Sequence, residues 1–378
     1  MNSDMLLNKA KIKTNVFTLG FLLWWLYGIL SSLYVSINSY HLVLQSMRFT
    51  GLFIMGLSFL YTDRIFLRRL VIGLCIGLFI IINNAYLTKT PYFFELVVII
   101  FSAIGIDFNI FFRRMLYFSF TILILIIFMS KVGMIESTRE IINNRTRDFL
   151  GFSWPTFGAQ YYLYTVSLCI VVFKDKVKLL NIAFLEIVNV YVYMNTQTKS
   201  PFLLITLFLI IWFVVGKANI NISNMPVFKV LFMLLLPILS VGIYLMSKNY
   251  PSLINVDQMV TGRLRLGYNA LLQYPLSLFG KETVLSAKIN TIGVNYQYVD
   301  SSLLQYMIKF GVVSFIVFII IFMLLQLRVL KYKNNYLMLA LTLIFINGMF
   351  DPQLIQANYN FYFVMIATLF NSKSEWMN

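Results

Sequence analysis

Histidine is nearly missing from this chain, cysteine occurs twice in 378 residues, and charged side chains make up only 12% of the sequence. Each shortage excludes something. So little charge rules out an ordinary soluble domain, in which charged residues are about a quarter of the sequence. The one histidine, His41, and the two cysteines, Cys75 and Cys169, share no metal-ligand spacing, so the chain is poorly equipped for zinc. Both cysteines fall in apolar runs, where a thiol serves as a small hydrophobe and carries no message about redox compartment. The nearest approach to a phosphate-binding loop is Gly280-Lys281, which lacks the upstream glycine and is followed by Glu282. Nucleotide-driven transport is therefore not implied. No internal repeat, low-complexity stretch or linker divides the chain, which reads as one domain over residues 1–378.

What the chain has in abundance is apolar surface: 60% hydrophobic residues, 17% aromatic residues and a mean hydropathy of +0.81. Runs such as "NVFTLGFLLWWLYGILSSLYV" and "GVVSFIVFIIIFMLLQL" are long enough to cross a hydrocarbon core of roughly 30 Å. In lipid every backbone amide needs a partner within its own segment, so the class is all-α and polytopic. About twelve segments emerge: Val16–Ser36, Met47–Tyr61, Leu70–Asn83, Tyr92–Ile106, Met115–Val132, Phe157–Phe173, Leu179–Met194, Pro201–Val215, Val230–Ser247, Ser302–Leu327, Tyr336–Phe350 and Tyr359–Phe370. Several are short for a perpendicular crossing, which leaves ten or eleven as alternatives.

Lys9, Lys11 and Lys13 precede an apolar run longer than a signal-peptide core, with no small-x-small cleavage site, so the first run is read as a retained span. With that amino terminus cytoplasmic, about 17 cations against about 5 acids collect on the inner side. Arg113, Arg114, Lys174, Lys176 and Lys178 are among them. Topology thus accounts for most of the formal charge of +16, and the basic balance is no sign of nucleic acid. Both termini are expected in the cytoplasm of a bacterial cell, with the chain in its cytoplasmic membrane.

The same topology leaves two long polar segments outside, Gly133 to Thr156 (133–156) and Lys248 to Ser301 (248–301). Loops of this length in a compact bundle tend to be functional. In the second, Leu264, Tyr268, Leu271 and Leu272 fall at helical spacing and Pro275 stops the pattern. The spacing predicts a short amphipathic helix at the outer interface, with Arg263 and Arg265 at its start on different sides. Snorkelling toward lipid phosphates is an alternative role for both arginines.

Four stretches resemble the O-antigen polymerase and ligase superfamily, and within it the Wzy-type polymerases of capsular, exopolysaccharide or O-antigen chains. They are "DFLGFSWPTFGAQYY", "NTQTKSPFLLI" at the head of a span, "TGRLRLGYNALLQYPLSLFGKE" opening the large late loop, and "YVDSSLLQYMIKFGVVSFI" closing it. Order and spacing over roughly residues 144–360 carry the likeness; the first five spans match only in hydropathy. Two departures stand out: Glu282 where the family often has glycine, and Lys199 where it tends to have arginine, a point charge in place of a planar fork.

The resemblance implies a GT-C-like membrane fold and a reaction. A growing glycan passes from polyprenyl pyrophosphate to a sugar hydroxyl of the next lipid-linked unit, without a cofactor or metal. A chain-length regulator and a flippase are the implied partners, beside membrane lipid and the lipid-linked oligosaccharide. Such a displacement needs a cation at the departing pyrophosphate, for which bidentate arginine is best suited. Arg263 is the first choice, with Arg265, Arg145, Arg147 and Lys199 in support, two or three of them expected to face one cavity. The attacking hydroxyl benefits from a base. Asp300 suits that role, and in "VDSSLL" it also suits a helix N-cap; one residue can do both. Related ligases tend to carry histidine there, so Asp300 favours a polymerase. Asp351 in "GMFDPQLIQANYNF", with Asn358 and Asn360, is read either as a sugar-binding group or as part of a turn around Pro352. Glu95 and Glu186 lie within spans and are read as packing residues. The competing classes are a lipid-linked oligosaccharide flippase or secondary transporter, and a ligase-like glycan transferase.

Overall fold

The computed structural model describes residues 3–34, 40–62, 67–88, 92–142, 145–285 and 298–370. The chain begins with α1 (Ser3–Leu30) and α2 (His41–Ser58) packed against each other. Their backbones touch at Gly20 and Gly51, where an added Cβ would come within 2.6 Å of Met55 N and 2.7 Å of Trp24 N respectively. Small residues allow this close approach where lipid offers helices no hydrophobic reason to associate. Next come α3 (Leu67–Ile82), running into a π-helical turn (Asn83–Thr88), then α4 (Tyr92–Ser102) and α5 (Phe108–Lys131). Asp107 caps α5 by accepting from Ile110 N at 3.1 Å.

The first long loop is not irregular. It forms an antiparallel hairpin of β1 (Arg139–Ile142) and β2 (Arg145–Asp148), with Arg139 opposite Asp148 and Glu140 opposite Arg147. This is a departure from an all-helical chain. Asp148 anchors it, accepting from Lys131 Nζ (2.9 Å), Ser137 Oγ (2.6 Å) and Leu150 N (2.9 Å). Burial pushes the Asp148 carboxyl up, but these donors and the Lys131 charge together outweigh it and hold the group at about 2. Its pKa lies below the ordinary 3.8, so its contribution to stability is present above that value and is lost as pH falls from about 4 toward 2. Asp148→Asn should loosen the hairpin at neutral pH and flatten this acid dependence; amide exchange across 139–148 is the measurement.

Then follow α6 (Pro155–Phe173), α7 (Leu179–Thr196), α8 (Lys199–Lys217) and α9 (Pro226–Lys248, with Pro237 inside it). The second loop carries α10 (Ile254–Met259) and α11 (Arg263–Gln273), and the chain closes with α12 (Ser302–Phe310), α13 (Val312–Lys331), α14 (Asn335–Phe350) and a ten-residue 3-10 helix (Phe361–Phe370). Helix α6 is central: 78% of its most apolar stretch is buried, against 22% for α7. Helix α7 instead turns Leu180, Phe184, Ile187, Tyr191 and Met194 outward, a continuous exposed apolar stripe that only a lipid environment makes stable.

Among the described residues seven helices are long and apolar enough to cross a membrane: α2 with its following turn, α5, α6, α7, α8, α9 and α13. The remaining expected spans are shorter or less apolar, so twelve crossings do not follow from length and composition. The largest correction concerns Ser302–Leu327, expected as one span. It is two helices broken at Gly311, whose φ is +83°. The break exists because the second loop returns here: Val312 N donates to Ser277 O (2.9 Å), Val313 N to Leu278 O (3.0 Å) and Lys281 N to Lys309 O (3.1 Å). The last segment is 3-10 rather than α, and at about 2.0 Å rise per residue its ten residues reach about 20 Å.

Contacts sort the helix termini into two ends. At one end Tyr34 N bonds Gly151 O (3.0 Å), Ser153 N bonds Ser32 O (2.9 Å), and Asn83 Nδ2 donates to Phe310 O (2.9 Å). At the other, Asp107 N bonds Thr14 Oγ1 (2.9 Å), Ser58 Oγ bonds Ser102 O (3.0 Å) and Trp212 Nε1 donates to Lys174 O (2.7 Å). Arg113, Arg114, Lys174, Lys176, Lys178 and Arg328 all fall at this second, basic end. Both long loops fall at the first.

Candidate functional site

Helix α11 starts where the backbone turns left-handed at Thr261 (φ +61°) and Gly262 (φ +84°). Asp257, buried in α10, caps it from the preceding helix: its Oδ1 accepts from Leu264 N (2.8 Å) and Arg265 N (3.2 Å). The buried stripe is Leu264, Gly267 and Ala270, whereas Leu272 is 64% exposed, so the helix is rotated from the expected Leu264, Tyr268, Leu271 and Leu272 face. The cause is Gly267, where a Cβ would meet Ser247 Oγ at 2.5 Å and Leu304 Cδ2 at 2.8 Å. The helix docks on α9 and α12 through its smallest residues.

That docking turns Arg263 inward. Its Nε lies 3.4 Å from Asp300 Oδ2, its Nη2 3.5 Å from Asp351 Oδ1, and its Nη1 donates to Ser200 Oγ at 3.2 Å. Ser200 Oγ in turn donates to Asp351 Oδ2 at 3.0 Å, and the guanidinium carbon sits 5.9 Å from the Phe350 ring centre. Side-chain exposures of 16% for Arg263, 21% for Asp300 and 4% for Asp351 make this a half-closed cluster with one sealed carboxylate. Burial pushes Asp351 up to about 6; the neighbouring Asp300 charge adds to that, while Arg263 and the hydrogen bonds from Ser200 and Gln160 oppose it. Tyr298 is likewise raised by burial, with both carboxylates contributing.

Three successive residues before and at the start of α12 divide the local work. Asp300 faces Arg263, Ser301 is the N-cap that accepts from Leu304 N (3.4 Å), and Ser302 Oγ donates to Asp351 O (2.6 Å) while accepting from Leu354 N (3.1 Å). The cap role therefore belongs to Ser301, which leaves the Asp300 carboxylate to the arginine. Asp351 likewise faces Arg263, while Asn360 serves the turn after Pro352, donating to Leu354 O (2.8 Å) and accepting from Tyr362 N (3.1 Å). Asn358 donates to Tyr161 OH at 3.2 Å.

Of the other cations named from the sequence, Arg265, Lys199 and Arg147 stand apart from this cluster. Arg265 and Lys199 are exposed. Arg147 Nη2 donates to Gln197 O at 3.3 Å, in the α7–α8 turn. Arg145 contributes its backbone to β2, and its side chain is outside the described residues. The turn at residues 197–200 is where the two long loops approach one another: the hairpin reaches it through Arg147, Thr198 Oγ1 meets Pro155 O at 3.5 Å, and Ser200 takes Arg263. His41 is an exposed residue at the start of α2. Glu95 is a buried partner of Arg48 and accepts from Trp24 Nε1 at 2.7 Å; Glu186 accepts from Thr206 Oγ1 at 2.7 Å. Among the described residues no group of three His, Cys, Asp or Glu side chains is placed to hold a metal ion.

Ser200 and Asp257 are the members that sequence reasoning missed. Ser200 follows Lys199 in a quoted motif, and one residue of helical rotation, about 100°, separates an outward lysine from an inward serine. Asp257 lies six residues before Arg263, and nothing local marks it as a cap. No protein-family model, curated protein or solved structure matches this chain.

Proposed function

We propose that the chain is a Wzy-type polymerase of lipid-linked oligosaccharide repeat units, working at the outer face of a bacterial cytoplasmic membrane with both termini inside. The observation that carries the reading is the convergence on Arg263. Residues from four separated segments, Ser200, Arg263, Asp300 and Asp351, bring one guanidinium, two carboxylates and a hydroxyl together at the end of the bundle that bears both long loops. In the proposed step a sugar hydroxyl oxygen attacks the anomeric carbon of the donor. The bond from that carbon to the pyrophosphate oxygen breaks, its electron pair leaves with the polyprenyl pyrophosphate, and the hydroxyl proton passes to Asp300. Arg263 meets the charge that develops on the leaving group.

Among the described contacts the cluster brings one cation to two carboxylates, which is unfavourable for an anion. Asp351 supplies the remedy, because burial raises its pKa to about 6, within reach of protonation near neutral pH. Protonation of Asp351 removes one negative charge from the cluster, which is therefore less repulsive to an anion below about pH 6 than above it. Affinity for the lipid-linked repeat unit, whose diesterified pyrophosphate does not titrate in this range, should therefore fall as pH rises through about 6, and Asp351→Asn should bind it with a flat profile. A wild-type profile as flat as that of the variant removes Asp351 from the anion site.

The test of the function itself is to incubate purified full-length chain with one defined lipid-linked repeat unit. A ladder of lipid-linked products, with free polyprenyl pyrophosphate released in step, is the expected result. Intact starting material, combined with movement of the unit between leaflets of a reconstituted vesicle, would transfer the assignment to a flippase.

A further inference from the structure

A second cavity, away from Arg263, carries charge of its own. It lies at the basic end, between the first turns of α5 and the end of α6, with a volume of about 260 Å³. Helix α6 alone, 19 residues at about 1.5 Å each, separates it from the other end by about 28 Å. Its walls are Phe112, Val171, Val172 and Phe173, and its remaining lining is Asn109, Arg113, Lys174, Asp175 and Lys176. Three cations thus outnumber one acid around an apolar floor.

The backbone here is under constraint. Lys174 has φ +49° and ψ −124°, a conformation costly for any residue with a Cβ. It is held there by Trp212, a fully buried indole on α8 whose Nε1 donates to Lys174 O at 2.7 Å, and the chain then makes the single 3-10 turn Lys174–Lys176. Were the lysines only serving the membrane surface, an unstrained turn would do as well. The constraint instead sets Lys174 and Lys176 beside Arg113, which arrives from a different helix.

We propose that this cavity binds the phosphodiester of an anionic membrane glycerolipid, with Arg113 as the forked donor, Lys174 and Lys176 as flanking charges, and the first carbons of the lipid against Phe112 and Val171. A guanidinium matches two phosphate oxygens at once, and the paired lysines add the attraction that basic pockets between membrane helices have for acidic headgroups. A free phosphate ion would leave the apolar floor empty. At about 260 Å³ the cavity far exceeds the roughly 10–15 Å³ that holds a single water, more than the ion needs and suited to a headgroup with its glycerol. The site is independent of the glycan reaction and lies at the other end of the molecule.

The test uses purified full-length chain in detergent, exchanged in parallel into micelles containing phosphatidylglycerol or phosphatidylcholine. Native mass spectrometry then counts the lipid retained per chain. Wild type should retain phosphatidylglycerol over phosphatidylcholine, and Arg113→Gln with Lys176→Gln should lower that preference about thirtyfold, as expected for two surface cations. Asp175→Asn should raise it, which keeps the proposal testable even if the double variant fails to fold. Equal retention of the two lipids, an unchanged preference in the double variant or a lowered one in Asp175→Asn would overturn the site. So would inorganic phosphate at millimolar concentration displacing the retained phosphatidylglycerol, because the occupant would then be a free ion.

Discussion

On the polymerase reading, Arg263→Ala should eliminate long glycan while the chain still reaches the membrane. Loss of one preorganised electrostatic stabiliser typically costs a factor of about 10²–10³ in turnover, and here the residue is the only cation of its cluster in the described contacts. Removing it also strands Asp351, 4% exposed, beside Asp300. A buried carboxylate without its cation takes up a proton rather than remain charged, so the folding penalty stays below the roughly 3–5 kcal/mol of an uncompensated buried ion. Arg263→Lys is expected to fail nearly as badly. Its three partners approach three different nitrogens, Nε, Nη1 and Nη2, and a single ammonium cannot reproduce that fork. The readout is the product ladder from a defined lipid-linked unit at matched protein levels. Full-length polymer from the alanine variant would remove Arg263 from the chemistry.

Gly311→Ala is the substitution with the largest expected structural effect. At φ +83° and ψ 162° the residue occupies a region open essentially to glycine alone, worth of order 1–3 kcal/mol to any other. A Cβ would also lie 2.4 Å from Phe279 C and 2.7 Å from Leu278 O, both backbone atoms. Those atoms cannot retreat, because residues 277–281 are bonded to the helix break on both sides. Asn83 adds a further tie, accepting from Gly280 N at 2.9 Å while donating to Phe310 O. We expect a loss of several kcal/mol and release of the returning loop, seen as a lower thermal midpoint and earlier tryptic cleavage at Lys281. Gly242→Ala is the control: nothing lies within 4 Å of its added Cβ, so it should be neutral or slightly stabilising. Equal midpoints and cleavage for the two variants would refute the role of Gly311.

Element by element, legibility tracked how local the deciding interaction was. Helix α11 was readable from apolar spacing and the stop at Pro275, and it runs Arg263–Gln273. Its orientation was not, because the buried face is set by Gly267 against Ser247, a contact twenty residues away in the chain. The break at Gly311 was hidden for the same reason: a single glycine in an apolar run is tolerated in a helix, and what demands the turn is the backbone of residues 277–279. In "VDSSLL" the local rule made Asp300 a base and a cap at once, and the structure gives the cap to Ser301 while Asp300 faces Arg263. Asp351 was readable as a candidate, but its partner across the cluster was not.

From short stretches of sequence this protein is helical and membrane-embedded, with basic residues such as Arg113, Lys174 and Lys176 in the short segments at one end and its long polar segments at the other. Hydropathy is a sum over neighbouring residues, and lipid forces each segment to satisfy its own backbone, so those properties are written into short windows of chain. Which charges meet is another matter. Ser200, Arg263 and Asp351 are joined across separations of 63 and 151 residues, and no window contains them. Their meeting depends on how helices pack, where the smallest residues let backbones close, and where the returning loop docks. Those long-range choices decided that Arg263 faces two carboxylates while Arg265, two residues on, faces outward.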